Sequence, residues 1–204
     1  MDGPARIVYD PDSDRCVVFW IDDVTGDDDN LVYKVGTVNT SNNSISFGTQ
    51  RIAVDDDVYG PSHATNQQWD ACYSTVHNKF IIAYVRNTGS DRYLFYKEGT
   101  MDSGLDSITW SSEIANDTQG SGGQTIYKNP IQISMAADDD NGTACVIFRQ
   151  SDGSGNETTR CTGLLLDSSS TLSVGGDSEI SSDGRYVPQQ VLYDPERNKY
   201  VGVY

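Results

Sequence analysis

Three apolar runs decide the fold: CVVFW at 16–20, FIIAY at 80–84 and ACVIF at 144–148. Their last residues, Trp20, Tyr84 and Phe148, are 64 residues apart both times. A strand with one wet face alternates apolar and polar side chains, whereas an unbroken apolar run predicts a strand covered on both faces. Two further landmarks keep nearly the same interval. VGTV from Val35, EGTM from Glu98 and CTGL from Cys161 are 63 apart, and ISFG from Ile45, ITWS from Ile108 and LSVG from Leu172 are 63 and then 64 apart. An interval held by independent landmarks marks an internal repeat.

Outward from these runs, each copy predicts four strands. The first is RIVYD, DACYS, IQISMA or QQVLYD. A tight turn follows, at 11–14, 76–78, 138–142 and 195–198, with residues that preset φ or tolerate a left-handed backbone. The apolar run is the second strand, NLVYKVGTV, RYLFYKEGT or TTRCTGLLL the third, and SISFGTQRIAV, SITWSSEIA or TLSVGGDSEI the fourth. The copies cover approximately 5–61, 62–125 and 126–184, with a partial fourth over 185–204.

The chain therefore reads as one all-β repeat domain of four-stranded antiparallel units. Units that cover both faces of each other's second strand are blades of a β-propeller. Tandem β-sandwiches usually need about seven strands each, and solenoid coils are shorter, so a four-stranded copy favours the propeller. Three and a half blades leave a ring open and a strand edge unpaired. The expectation is self-association, or further blades from the same or another chain.

Composition narrows the partners. The 204 residues carry 30 acidic against 14 basic side chains, a formal charge of −16 that repels nucleic acid and anionic membrane surfaces. No stretch approaches the roughly 18 apolar residues that span a bilayer, so no membrane insertion is expected. MDGPARIVYD lacks an apolar signal core, so any export would be directed from outside this stretch. The 12 Tyr, 5 Phe and 3 Trp recur in clusters that suit an ordered protein with long polar loops.

Cys16, Cys72, Cys145 and Cys161 fall in apolar strand segments and read as small buried hydrophobes. Cys145 and Cys161 also flank SDGSG at 151–155; a hairpin symmetric about Gly153 would set them opposite each other for a cross-strand disulfide.

Acidic clusters are the first candidate sites. DPDSD at 10–14 has the alternating carboxylates of a calcium loop, but Arg15 and Ile21 stand where such a loop needs Gly and a bidentate Glu, so it reads as a turn. DDVTGDDDN at 22–30 and VDDDVYG at 54–60 belong to the second-to-third-strand loop and the inter-blade connection, which emerge on one rim of a propeller. They are either solvated, mutually repelling loops or a Ca²⁺ site using Asp22, Asp23, Asp27, Asp28, Asp29, Asp55, Asp56 and Asp57. Arg86 and Arg149 end the second strand near that rim, and Tyr59, Trp69 and Tyr127 lie in or beside the connections. Aromatics with Arg and Asp on one rim suit sugar stacking, and the same aromatics suit packing between blades.

Catalytic patterns are sparse. His63 and His77 are the two histidines, and GxSxG, HExxH and phosphate-loop motifs are missing. A propeller glycosidase needs two carboxylates across a pocket, which 30 acidic residues neither exclude nor single out. Sequons occur at Asn39, Asn42, Asn116, Asn141 and Asn156, which matter for a secreted chain in a glycosylating host.

Tyr9-Asp10-Pro11, Val35 to Val38 and Ile45 to Thr49, echoed at Tyr193-Asp194-Pro195 and Gly99-Thr100, resemble the propeller-like repeats of phage and virion tail-fibre proteins and related extracellular surface proteins. SITWSSE at 107–113 is faintly similar to the Asp-box turn of sialidase-type propellers, with Asp106 and Gly104 out of register. The resemblance implies a virion, extracellular or cell-surface setting and a non-enzymatic structural or adhesive module contacting glycans or a protein through its loop rim. A propeller-fold glycoside hydrolase or sialidase-like enzyme is the alternative.

Overall fold

A computed structural model describes residues 5–22, 29–55, 58, 68–88, 91–115, 130–151, 157–166, 171–182 and 190–203. Every regular element among them is a strand, and no helix is long and apolar enough to cross a membrane. The first sheet runs β1 (Arg6–Asp10), β2 (Arg15–Asp22) and β3 (Asn30–Asn39), with β4 (Ser44–Phe47) and β5 (Arg51–Val54) both paired to β3. The second repeats this with β6 (Trp69–Ser74), β7 (Lys79–Thr88) and β8 (Asp91–Met101), followed by β9 (Ile108–Trp110) and β10 (Ile114–Ala115) on β8. The third is β11 (Pro130–Ala137), β12 (Thr143–Ser151), β13 (Glu157–Leu166) and β14 (Leu172–Ser181), and the fourth is the hairpin of β15 (Gln190–Asp194) and β16 (Lys199–Val203). All pairings are antiparallel.

The turn between the first two strands shows why the sequence repeats. Asp14, Asn78, Gly142 and Asn198 occupy one position and have φ of 54°, 53°, 67° and 50°. That left-handed backbone favours Gly, Asn and Asp. In three units an aspartate at the end of the first strand, or directly after it in the case of Asp138, closes the turn. Asp10 accepts the N–H groups of Asp12 and Ser13, Asp138 those of Asp140 and Asn141, and Asp194 those of Glu196 and Arg197. The DPDSD carboxylate thus serves its own backbone.

The second strand of the second unit, β7, is covered on both faces. Phe80, Ile82 and Tyr84 of β7 join a core with Val17, Phe19, Tyr33 and Trp69, while Ile81, Ala83 and Val85 join a second core with Ile133, Met135, Val146, Phe148 and Leu164. All six β7 side chains are fully buried. Alternate residues of one strand therefore pack against different neighbouring sheets, which is why the run lacks polar residues.

Polar bonds fix the stacking. First strands of successive sheets adjoin, β1 to β6, β6 to β11 and β11 to β15. Asp70 accepts the N–H of Met135 at 2.8 Å, and Ser134 accepts that of Val191 at 2.9 Å. Farther out, the N–H of Ile108 donates to the Tyr33 hydroxyl at 2.9 Å and Lys97 Nζ donates to the Ala53 carbonyl at 3.0 Å. At the turns, the Tyr73 hydroxyl donates to Asp12 and the Tyr193 hydroxyl to Asp140, each at 3.2 Å.

Three details depart from the sequence reading. The fourth strand is one element only in the third sheet; in the first two it breaks after Phe47 and Trp110, where Gly48 N–H bonds Val35 O and Ser111 N–H bonds Glu98 O. The third-strand landmark is displaced. Gly36 faces Cys16 and Gly99 faces Phe80, but Leu164 faces their counterpart Ala144, so the partner of VGTV and EGTM starts at Gly163 and not at Cys161. The pairing accordingly sets Ser151 opposite Glu157, and Cys145 faces Gly163 while Cys161 faces Ile147. The two cysteines are diagonal rather than opposed, and all four are free thiols.

Candidate functional site

Of the residues expected to act, the described ones, Asp22, Asp29, Asp55, Trp69, Arg86 and Arg149, lie at the end of their sheets where β2, β7 and β12 finish. In the first unit Asp22 ends β2 and accepts Gln50 Nε2 at 2.6 Å. The carbonyl of Asp29, just before β3, accepts the N–H of Val58 at 3.0 Å, and Val58 bridges to Arg86 of the next sheet. The first loop and the first inter-unit connection therefore meet at Asp29 and Val58. Asp22, Asp29 and Asp55 are the described members of the acidic set; Asp23, Asp27, Asp28, Asp56 and Asp57 lie outside the described residues, as do Tyr59 and Tyr127. Among the described residues no group of three His, Cys, Asp or Glu could hold a metal ion.

The two arginines do not converge. The register places Arg86 at the level of Asp22 and Gln150, and Arg149 at the level of Val85, one residue away and so on the opposite face of its sheet. Arg86 lies 4.7 Å over the Phe95 ring and pairs with Glu113 at 2.8 Å; Glu113 also accepts the Tyr84 hydroxyl at 2.8 Å. Arg149 pairs with Glu157 at 3.0 Å across its hairpin. Both guanidinium groups tie strands together within one sheet. Trp69 opens β6 and is buried in the core shared by the first two units, so it packs between units and presents no surface to a ligand.

Composition did not single out a buried carboxylate between the first strands. Asp70 is buried, with Arg6 Nε 3.0 Å away and the N–H groups of Ala71 and Met135 on its oxygens. Burial pushes its carboxyl up to about 6, against the pull of Arg6 and the two N–H donors. The signal was legible: Arg6, Asp70 and Ser134 recur at intervals of 64 as polar residues in otherwise apolar strands. Burial likewise raises the Cys72 thiol and pushes Cys145 up to about 12, keeping both protonated and unreactive at neutral pH.

No protein-family model matches the chain, and a search of curated proteins finds no matching relative.

Proposed function

We propose that the chain is a non-enzymatic structural and adhesive module of a virion or cell-surface fibre, built as consecutive β-propeller blades. The observation that carries this reading is the two-sided burial of Phe80 to Val85 by neighbouring units, which makes each sheet the support of the next. Arg86, Arg149 and Arg160 support it further. Each is paired to a carboxylate of its own sheet, Glu113, Glu157 and Asp177 respectively, which suits a load-transmitting scaffold better than recognition of an anionic substrate. The setting is the one implied by the tail-fibre likeness of the turns. The loop rim around Asp22, Asp29 and Asp55 is the face that meets a glycan or protein partner.

A glycan array combined with a panel of chromogenic glycosides tests this. The expected result is binding without turnover, weakened by Tyr59→Ala or Tyr127→Ala. Turnover abolished by a single Asp or Glu substitution would overturn it in favour of a glycoside hydrolase.

A further inference from the structure

Two of the five Asn-x-Ser/Thr sequons share one exposed turn, and their side chains are bonded differently from those of a third. Residues 39–44 form the tip of the hairpin between β3 and β4, and every one of them is exposed. Asn39 Oδ1 accepts the N–H of Ser41 at 3.0 Å and its hydroxyl at 2.6 Å. Asn42 Oδ1 accepts the N–H of Ser44 at 3.1 Å and its hydroxyl at 2.6 Å. Each sequon is thus folded into an Asx turn, which occupies the asparagine oxygen and leaves Nδ2 with no partner among the described residues. The hydroxyl that a sequon requires sits beside the same side chain.

The tip is open by its place in the unit. Asp102 stands in the second unit where Asn39 stands in the first, and accepts the N–H groups of Asp106 and Ser107. That turn belongs to a sheet packed on both sides, yet Ser103, Gly104 and Asp106 remain exposed. Asn141 provides the contrast. It is exposed too, but its Nδ2 donates to Asp138 at 2.9 Å and to Asn198 of the fourth hairpin at 3.3 Å. The hydroxyl of its Thr143 lies 3.3 Å from Asp138 and 2.9 Å from the Tyr200 hydroxyl. Both groups of that sequon are committed to the turn and to the contact between units. Asn116 and Asn156 lie outside the described residues.

The geometry points to the β3–β4 tip, through Asn39 and Asn42, as the N-glycan acceptor of the folded chain, and to Asn141 as a sequon that the fold withholds. In the reaction the asparagine Nδ2 attacks the anomeric carbon of an oligosaccharide carried on a diphospholipid. The N–C bond forms as the bond from that carbon to the diphosphate oxygen breaks. The diphospholipid leaves with the electron pair, and a base of the transferase takes the Nδ2 proton. A glycan is bulky and solvated, so an exposed hairpin tip accommodates it where the turn of Asn141, bonded to the next unit, does not. The setting in which this occurs rests on the surface reading above, whereas the site itself is tested on purified components, so either can fail alone.

The test combines the folded chain, a single-subunit oligosaccharyltransferase that reads only the sequon, and a lipid-linked oligosaccharide. Mass spectrometry of the whole chain and of its tryptic peptides 35–51 and 129–149 is the readout. The glycan is expected on 35–51, with Asn141 modified at least about tenfold more slowly because its bonds have to open first. A synthetic peptide of residues 136–146, free of the fold, is expected to lose that protection. The double variant Asn39→Gln, Asn42→Gln changes exposed positions and is expected to abolish modification of 35–51 with an unchanged circular dichroism spectrum. An unmodified 35–51 in the folded wild type, or equal rates at Asn141 and the tip, would overturn the inference. A peptide modified no faster than Asn141 of the folded chain would overturn the fold's part in withholding that site.

Discussion

The Asp70 carboxylate accepts the backbone N–H of Met135, 65 residues farther along the chain, at 2.8 Å. Ser134 repeats the contact one unit later on Val191, which lies 57 residues on. A buried acceptor at the same strand position thus ties β6 to β11 and β11 to β15, over and above apolar packing, while β1 is tied to β6 by the Arg6–Asp70 ion pair.

Asp70 makes the fold's stability depend on pH. Its folded-state carboxyl is raised to about 6 by burial, so the folded protein binds a proton that the unfolded chain has released. Stability from this group is therefore fully present below the ordinary carboxylate range and is lost as pH rises through about 6. Urea unfolding of the wild type and Asp70→Asn at pH 4, 5, 6 and 7 isolates the effect. The difference between the two is expected to change by about 1–3 kcal/mol across that range, with the wild type relatively stronger at pH 4. Asp102 and Asp138 are held below the usual range and act in the opposite sense; they lose their contribution only as the solution becomes more acid than that range.

Size is traded across the third and fourth strands. Gly36 faces Phe47, Gly99 faces Trp110, and at the same level Leu164 faces Val174. A methyl on Gly99 would run into Ile108 and come within 2.7 Å of the Trp110 ring. Gly99→Ala is expected to cost about 1–3 kcal/mol, and Trp110→Val in the same chain to recover part of it. A thermodynamic cycle of the two single variants and the double variant measures this coupling; strict additivity would contradict it.

The left-handed turn position separates backbone from side-chain effects. Asn78 has φ of 53° and its side-chain nitrogen donates to the Thr75 carbonyl and to Asp12, so Asn78→Gly, which loses only those bonds, is expected to cost about 0.5–1.5 kcal/mol, and Asn78→Val, which also strains the backbone, about 1–2 kcal/mol more. Thermal unfolding of both variants checks the order.

Much of this architecture was readable because packing acts on every copy alike. The run ending at Tyr84 has to be apolar throughout because each of its faces meets a different sheet, and the first-turn residues have to tolerate positive φ. The third-strand register was misread by two residues because loop length between β12 and β13 is free to drift while the pairing of Ala144 with Leu164 is not. Aromatic and charged residues near the connections gave poor guidance to a site. Trp69 is a core side chain, and Arg86 and Arg149 are paired with Glu113 and Glu157, since a large ring or a guanidinium close to a sheet end serves packing as readily as binding. Asp70 was overlooked because a single aspartate among 30 acidic residues stands out only when the repeat is aligned strand by strand.

Adjacent residues of β7 offer the most direct measurement of the stacking. Ile81 faces the third unit and Ile82 the first, and both are fully buried. Equilibrium urea unfolding of Ile81→Ala and Ile82→Ala is predicted to show losses of about 2–5 kcal/mol for each. A loss at one position with a change of less than about 0.5 kcal/mol at the other is the signature of a sheet with a solvated face, and would contradict the account.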